Sequence, residues 1–224
     1  MITFLRGKPG SGKSVHTAIL IKQALRRGQN VIANFPFRDD LIKPKGKRPK
    51  GQFIFVHNKY FRMFNKNPKY FWQCPTICLA GFADNFHKFS DTGRCYESQT
   101  ILVFDECGSI WNSRTWQVPG RQEWLDFYSE HRKYGFDIYC ISQFERQIDR
   151  QIREQFEYDI EHRKLSNFKT FGKLLSFFVG GDLFVAIKRW YGVKSKKENK
   201  ISSQFFIGTK SIYKLFNTSQ RFSK

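Results

Sequence analysis

A chain of 224 residues, 40% of them apolar and without a long low-complexity run, can bury a core of its own and suits one α/β domain with at most a small appended part. Lys and Arg number 39 against 19 Asp and Glu; the net charge of +20 disfavours cationic partners and favours polyanions such as nucleic acid or lipid headgroups, although a solvated basic surface satisfies the same count. Five cysteines, an odd number scattered from Cys74 to Cys140, exclude the disulfide framework of a small secreted domain, and Cys74, Cys78 and Cys95 with His87 match no standard zinc knuckle.

The first apolar run, Ile2 to Leu5, reads as a strand. Gly7-Lys8-Pro9-Gly10-Ser11-Gly12-Lys13-Ser14 follows it directly as a complete phosphate-binding loop that opens a helix. Its glycines let the backbone bring successive N–H groups around a β-phosphate, and the helix start aims further N–H groups at the same anion. Lys13 is expected to neutralise β- and γ-phosphate oxygens, and the Ser14 hydroxyl to give one oxygen ligand to Mg²⁺. The nucleotide contact is therefore expected over Gly7, Lys8, Pro9, Gly10, Ser11, Gly12, Lys13, Ser14 and Val15. A glycine-rich turn without a ligand is the competing reading, and the strand–loop–helix context weighs against it.

From Val15 to Arg27 apolar residues mark one face of a basic helix that Gly28 stops, and Val31 to Asn34 is a short second strand, which completes a right-handed crossover unit. Between Phe35 and Gln99 the composition changes, and the stretch from about 36 to 99 reads as an insertion. Its basic run, Lys43-Pro44-Lys45-Gly46-Lys47-Arg48-Pro49-Lys50, carries prolines and like charges that disfavour a core element; it is expected as an exposed, mobile loop, either touching phosphates or simply solvated. The aromatics beyond it, Tyr60, Phe61, Phe64, Tyr70, Phe71 and Trp72, either stack on bases or fill a core or an interface.

Ile101-Leu102-Val103-Phe104-Asp105-Glu106 predicts a strand buried on both faces and ending in two carboxylates. Asp105 is expected to hold Mg²⁺, and Glu106 to polarise the attacking water as a general base. Paired acids favour nucleotide hydrolysis; a guanine-reading motif is not seen, since Asn58-Lys59-Tyr60-Phe61 lacks the final Asp. A helix over Gln122 to Lys133 closes near Gly135, and Phe136 to Ser142 makes another buried strand. Gln143, just past its C-terminal end, can reach a γ-phosphate or the lytic water, or is a surface amide without a role. Among Arg132, Arg146, Arg150 and Arg153, Arg132 is the candidate to act across a subunit interface as an arginine finger, against the commoner solvated charge.

Ile148 to Phe156 reads as a helix. Strand-like stretches follow at Tyr158 to Leu165, Leu174 to Val179, Leu183 to Tyr191, Gln204 to Ile207 and Ile212 to Phe216, with a turn at Gly180-Gly181-Asp182 and a second basic patch from Lys194 to Lys200. The expected organisation is a nucleotide-binding core over residues 1–165 and a β-rich extension over 166–224. Leu174 to Ile187 is too short to span a bilayer and contains Asp182, so no transmembrane segment is expected; with no secretory segment ahead of the phosphate loop, a cytoplasmic address is the default.

Together these motifs resemble the zonula occludens toxin-like (Zot) family, which is related to the filamentous-phage gene I assembly ATPase and lies near the FtsK/HerA motor ATPases. The resemblance rests on Gly7 to Ser14, on Ile101 to Glu106, on His131-Arg132-Lys133-Tyr134-Gly135-Phe136-Asp137-Ile138 leading into Ile141-Ser142-Gln143, and on the closing Ile212-Tyr213-Lys214-Leu215-Phe216-Asn217-Thr218-Ser219. It implies an α/β P-loop NTPase with a mainly parallel central sheet, helices on both faces and a small β-rich C-terminal portion. It also implies ATP with Mg²⁺ as cofactors, a homo-oligomer, and ATP-driven assembly and extrusion of a filamentous phage at the cytoplasmic face of the host inner membrane. The implied partners are phage coat or assembly proteins and single-stranded phage DNA. Family members usually carry a transmembrane helix after this domain; its absence by Lys224 implies either a segment of a longer anchored protein or a shorter type that uses the membrane surface or a separate membrane-bound partner. Toxin activity finds no support in these residues. Two readings from other classes stay open: a P-loop kinase acting on a small acceptor, and a non-catalytic nucleotide-gated scaffold or effector.

Overall fold

Strand β1 (Ile2–Arg6) turns Ile2 and Phe4 to one side and Thr3 and Leu5 to the other, and all four are buried, as the two-residue period of a strand covered on both faces requires. A computed structural model describes residues 1–47, 49–64, 74–114, 117–165, 182–193 and 199–216. Among them lie helix α1 (Lys13–Arg26), strands β2 (Asn30–Ala33) and β3 (Phe53–Phe55), helices α2 (Asn58–Phe61) and α3 (Pro75–Phe86), and strand β4 (Thr100–Phe104). Helix α4 (Arg121–Glu130), strand β5 (Phe136–Ser142), helix α5 (Arg150–Glu154), strands β6 (Tyr158–Lys164), β7 (Asp182–Trp190) and β8 (Lys200–Gly208), and helix α6 (Lys210–Tyr213) follow.

The strands form one eight-stranded sheet in the order β3-β2-β4-β5-β1-β6-β7-β8. Neighbours from β3 to β6 are parallel, and β7 and β8 continue the sheet antiparallel. On one face Phe4, Leu102, Phe104, Ile138 and Cys140 pack against α3, α4 and α5 through Leu79, Ala83, Trp124, Tyr128 and Ile152. On the other face Leu5, Val31, Val103, Ile141 and Phe184 pack against Val15, Ala18, Ile21 and Leu25 of α1 and Ile212 of α6. The parallel part of the sheet is thus covered on both sides, as its apolar strands demand.

Several boundaries differ from the sequence expectations. Ile212 to Phe216 is not a strand: the Thr209 side chain accepts from the Ile212 N–H at 3.4 Å and caps helix α6, and this local cap outweighs the β-branched and aromatic character of the stretch. Helix α5 is shorter than predicted because Asp149 caps it, accepting from the Gln151 N–H at 2.9 Å, while Ile148 stays extended in a bridge to Asn112. The stretch read as an insertion holds β3, the edge strand of the main sheet, with α2 and α3. Phe61 is buried against Phe104 and Trp124, whereas Tyr60 is exposed. Lys43, Lys45 and Lys47 are exposed, and Lys50 pairs with Asp39 at 2.8 Å. Arg48, Tyr70, Phe71, Trp72, the predicted strand Leu174 to Val179, Gly180 and Gly181, Lys194 to Glu198, and Asn217 to Ser219 lie outside the described residues. Among those described, no helix is long and apolar enough to cross a membrane.

Candidate nucleotide site

The C-terminal ends of the parallel strands bring the predicted site residues to one edge of the sheet. Strand β1 leads into the phosphate loop, β4 into Asp105 and Glu106, and β5, which lies between them, into Gln143.

Gly12 caps helix α1 with φ +96°, and a Cβ there would stand 2.5 Å from Phe184 Cδ1; a Cβ on Gly7 would stand 2.8 Å from the His162 carbonyl oxygen. Only glycine satisfies both the left-handed turn and the close approach. The Gly12 carbonyl accepts from the His16 N–H at 2.9 Å, so the N–H groups of Lys13, Ser14 and Val15 precede that helical hydrogen bond. Lys13 Nζ donates to the carbonyl oxygens of Gly7 at 2.7 Å and Lys8 at 3.3 Å; burial lowers its pKa, and Glu106 and Asp105 pull it back up. Lys8, Pro9, Gly10 and Ser14 are exposed. Ser11 is buried, and its Oγ has no hydrogen-bond partner among the described residues. Val15 points into the core, so its contact with a ligand is limited to its backbone.

Asp105 is half-buried, and its Oδ1 accepts from the Glu106 N–H at 3.0 Å. Burial, reinforced by the neighbouring Glu106 charge, pushes its carboxyl up to about 6. Glu106 is exposed and left-handed (φ 46°, ψ 46°), a conformation that costs a non-glycine residue roughly 1–2 kcal/mol. Its Oε1 accepts from Gln143 Nε2 at 3.3 Å, so the amide ties the general-base candidate to the tip of β5. Arg146 and Arg114 line a cleft that also contains Glu106.

Arg132 does not join this group. It follows α4 at the N-terminal end of β5 and donates to Glu157 Oε2 at 2.6 Å. A strand of this length, about 20 Å, separates it from the phosphate loop of its own chain. His87 is also committed elsewhere, with Nε2 at 2.7 Å from Thr100 Oγ1 and Nδ1 at 2.6 Å from the Tyr134 carbonyl oxygen; among the described residues no group of three or more His, Cys, Asp or Glu side chains is placed to hold a metal.

Two features escaped the sequence reading. Beneath the loop, His162 Nδ1 bonds the Arg6 carbonyl oxygen at 3.1 Å, which leaves its Nε2 to accept from His16 Nδ1 at 2.7 Å. Burial drives His16 down to about 4 and His162 to about 3, so both are neutral at pH 7. The second feature is Asn34, counted above as the last residue of a strand; it is buried, and its amide touches the Asp105 backbone. A polar residue closing the apolar run Val31-Ile32-Ala33 was the available signal.

Backbone donors at a helix start, an ammonium, a hydroxyl and a carboxylate pair form the donor set that a magnesium nucleoside triphosphate takes, and the unpartnered Ser11 hydroxyl in the loop is consistent with it. The sheet order and the loop define an α/β protein of the P-loop NTPase fold. A family model for zonular occludens toxin (Zot) matches residues 1–197, and the chain belongs to that family. The Gene 1 protein of Salmonella phage IKe is 27% identical to it over 229 residues, covering 97% of this chain and 56% of the relative. The Gene 1 protein of Escherichia phage If1 is 30% identical over 225 residues, covering 97% and 58%. The chain thus spans a little over half the length of these relatives. The crystal structure of the N-terminal domain of zonular occludens toxin from Neisseria meningitidis matches with a TM-score of 0.52 at 14% identity, over 96% of this chain and 98% of that one, which is a likeness of fold.

Proposed function

We propose that this chain is the ATP-hydrolysing motor part of a filamentous-phage assembly protein. In this reading Lys13 and the N–H groups of the loop bind the β- and γ-phosphates. Ser14 and Asp105 hold Mg²⁺, which when bound supplies charge neutralisation at the phosphate oxygens. Gln143 occupies Oε1 of Glu106 and leaves Oε2 to take the proton of the attacking water. Arg132, at the opposite end of the parallel strands, serves the site of a neighbouring subunit in a homo-oligomer. The exposed Lys43, Lys45 and Lys47 offer charge to single-stranded phage DNA. The setting in this reading is the cytoplasmic face of the host inner membrane, with coat or assembly proteins, and the membrane surface or a membrane-bound partner, as the other components; that the Gene 1 relatives are phage proteins supports the phage part of it.

The observation that carries the reading is the Glu106–Gln143 hydrogen bond, within electrostatic reach of Lys13. The test is nucleotide turnover of the parent chain and Glu106→Gln, with and without single-stranded DNA and over a range of salt. The variant should bind ATP and lose turnover by about 100-fold or more. DNA binding should weaken steeply as salt rises, and binding indifferent to salt would remove the basic loop from the reading. Equal turnover in parent and variant would remove Glu106 as the base. A phosphorylated acceptor in place of free phosphate would favour a kinase, and ATP binding without turnover under all these conditions would favour a scaffold.

A further inference from the structure

Strands β2 and β4 pair in parallel with Ala33 opposite Val103, and the Asn34 N–H still reaches the Val103 carbonyl oxygen at 3.3 Å. There the main chain of β2 leaves the ladder. The backbone of Asp105, just past the end of β4, is instead gripped by a side chain: Asn34 Oδ1 accepts from the Asp105 N–H at 2.7 Å, and Asn34 Nδ2 donates to the Asp105 carbonyl oxygen at 2.8 Å. A primary amide has the donor and acceptor of a peptide group, so Asn34 adds one rung to the sheet after its backbone has turned away. Nδ2 also donates to Asn58 Oδ1 at 2.7 Å, at the start of α2. Only one orientation of the amide satisfies all three contacts, because a flipped amide would set NH₂ against the Asp105 N–H.

We propose that Asn34 is a positioning residue of the hydrolytic centre: its amide clamps both polar atoms of the Asp105 backbone, so that Asp105 is held in place while Glu106 swings into its left-handed conformation toward Gln143. The inference rests on the hydrolytic reading of Asp105 and Glu106. Main-chain hydrogen bonds from β2 end too early to fix this junction, and the strained Glu106 backbone persists only if its neighbour is held. Asn58 holds the clamp in turn, with α2 seated through Phe61 on Phe104. The hydrogen bonds of Asn34 reach neither Lys13 nor the N–H groups of the loop, so it acts mainly on the placement of the carboxylates and little on nucleotide affinity.

The test compares the parent chain with Asn34→Ala and with Asn34→Asp, which keeps an acceptor for the Asp105 N–H and loses the donor to its carbonyl. Three readouts are taken: amide hydrogen exchange across residues 103–108, binding of a fluorescent ATP analogue, and steady-state turnover. Exchange across 103–108 should rise in Asn34→Ala, analogue affinity should stay within about threefold, and kcat should fall about 10- to 100-fold with KM nearly unchanged, the cost expected of a misplaced group. Unchanged exchange across 103–108 in a folded Asn34→Ala chain would overturn the clamp, as would a kcat within twofold of the parent. A loss of kcat matched by the unfolded fraction in urea titration, with the folded fraction fully active, would reduce Asn34 to a structural residue and also overturn it. If Asn34→Ala does not fold, Asn34→Asp carries the same comparison. A parent chain without turnover would defeat the hydrolytic reading alone; the exchange arm would then decide the clamp by itself, raised exchange supporting it and unchanged exchange sinking it.

Discussion

The charges at the N-terminal end of the parallel strands and those of the candidate site at the C-terminal end are handled differently. At the N-terminal end the Met1 amino group lies 2.9 Å from Asp137 Oδ1 and 2.9 Å from His131 Nε2, while Glu157 accepts from the Ile2 N–H at 3.1 Å and from Arg132 at 2.6 Å. These charges meet partners of opposite sign. At the C-terminal end Arg6 still pairs with Asp159 at 2.8 Å, but among the described residues Lys13 bonds main-chain oxygens, Asp105 sits where burial opposes its charge, and Glu106 is exposed in a strained turn. One end fastens the sheet, and the other, proposed above as the reactive end, keeps the charges of its candidate site available. The fastened end lets the reactive end carry strain and desolvated charge within one fold.

Removing a charge from the reactive end gives that contrast its sharpest test. Lys13→Ala should weaken ATP binding by about 10- to 100-fold, the value of a charge-assisted hydrogen bond, while leaving the urea midpoint close to the parent's. Unchanged affinity by calorimetry would mean that the reactive end does not bind phosphate.

A second test lies beneath the loop. Both buried imidazoles have folded-state pKa values below the ordinary 6.5, so the unfolded chain binds more protons and stability falls as pH drops from 6.5 toward 4 and then 3. Between pH 7 and 5 each should cost about 2 kcal/mol, partly offset by Asp105, whose raised carboxyl regains its proton over the same window. Urea unfolding at the two pH values measures this, and equal free energies would show that the pair is not neutral and buried.

The smallest effect is expected at the fastened end. Arg132→Ala removes an exposed ion pair worth about 0–1 kcal/mol and should not alter ATP affinity. Turnover should fall only at concentrations where the chain assembles. Parent-like turnover at every concentration would confine Arg132 to fastening.

The reactive end was the more legible of the two because its chemistry is local in sequence. Gly7 to Ser14 and Asp105-Glu106 are contiguous motifs, and Gln143 follows its strand at once. Asn34 and the His16–His162 pair become informative only through partners 71 and 146 positions away, which no local pattern displays. The alternation of apolar residues marked the buried strands, but it did not show that β6 lies beside β1 or that β7 and β8 extend the same sheet. Helix α6 was misread because a Thr cap, one side-chain hydrogen bond, decided a stretch whose composition suits either state.

The place of β5 in the strand order also acts as a ruler. Adjacent strands stand about 4.8 Å apart, so a phosphate loop on β1 and a carboxylate on β4 with nothing between them would leave too little width for a phosphoryl group and a water. One intervening strand sets the spacing at two intervals, about 10 Å, and puts its own tip residue, Gln143, at the midpoint. The width of the site is therefore gauged by the hydrogen-bond ladder of the sheet and not by the lengths of the loops around it.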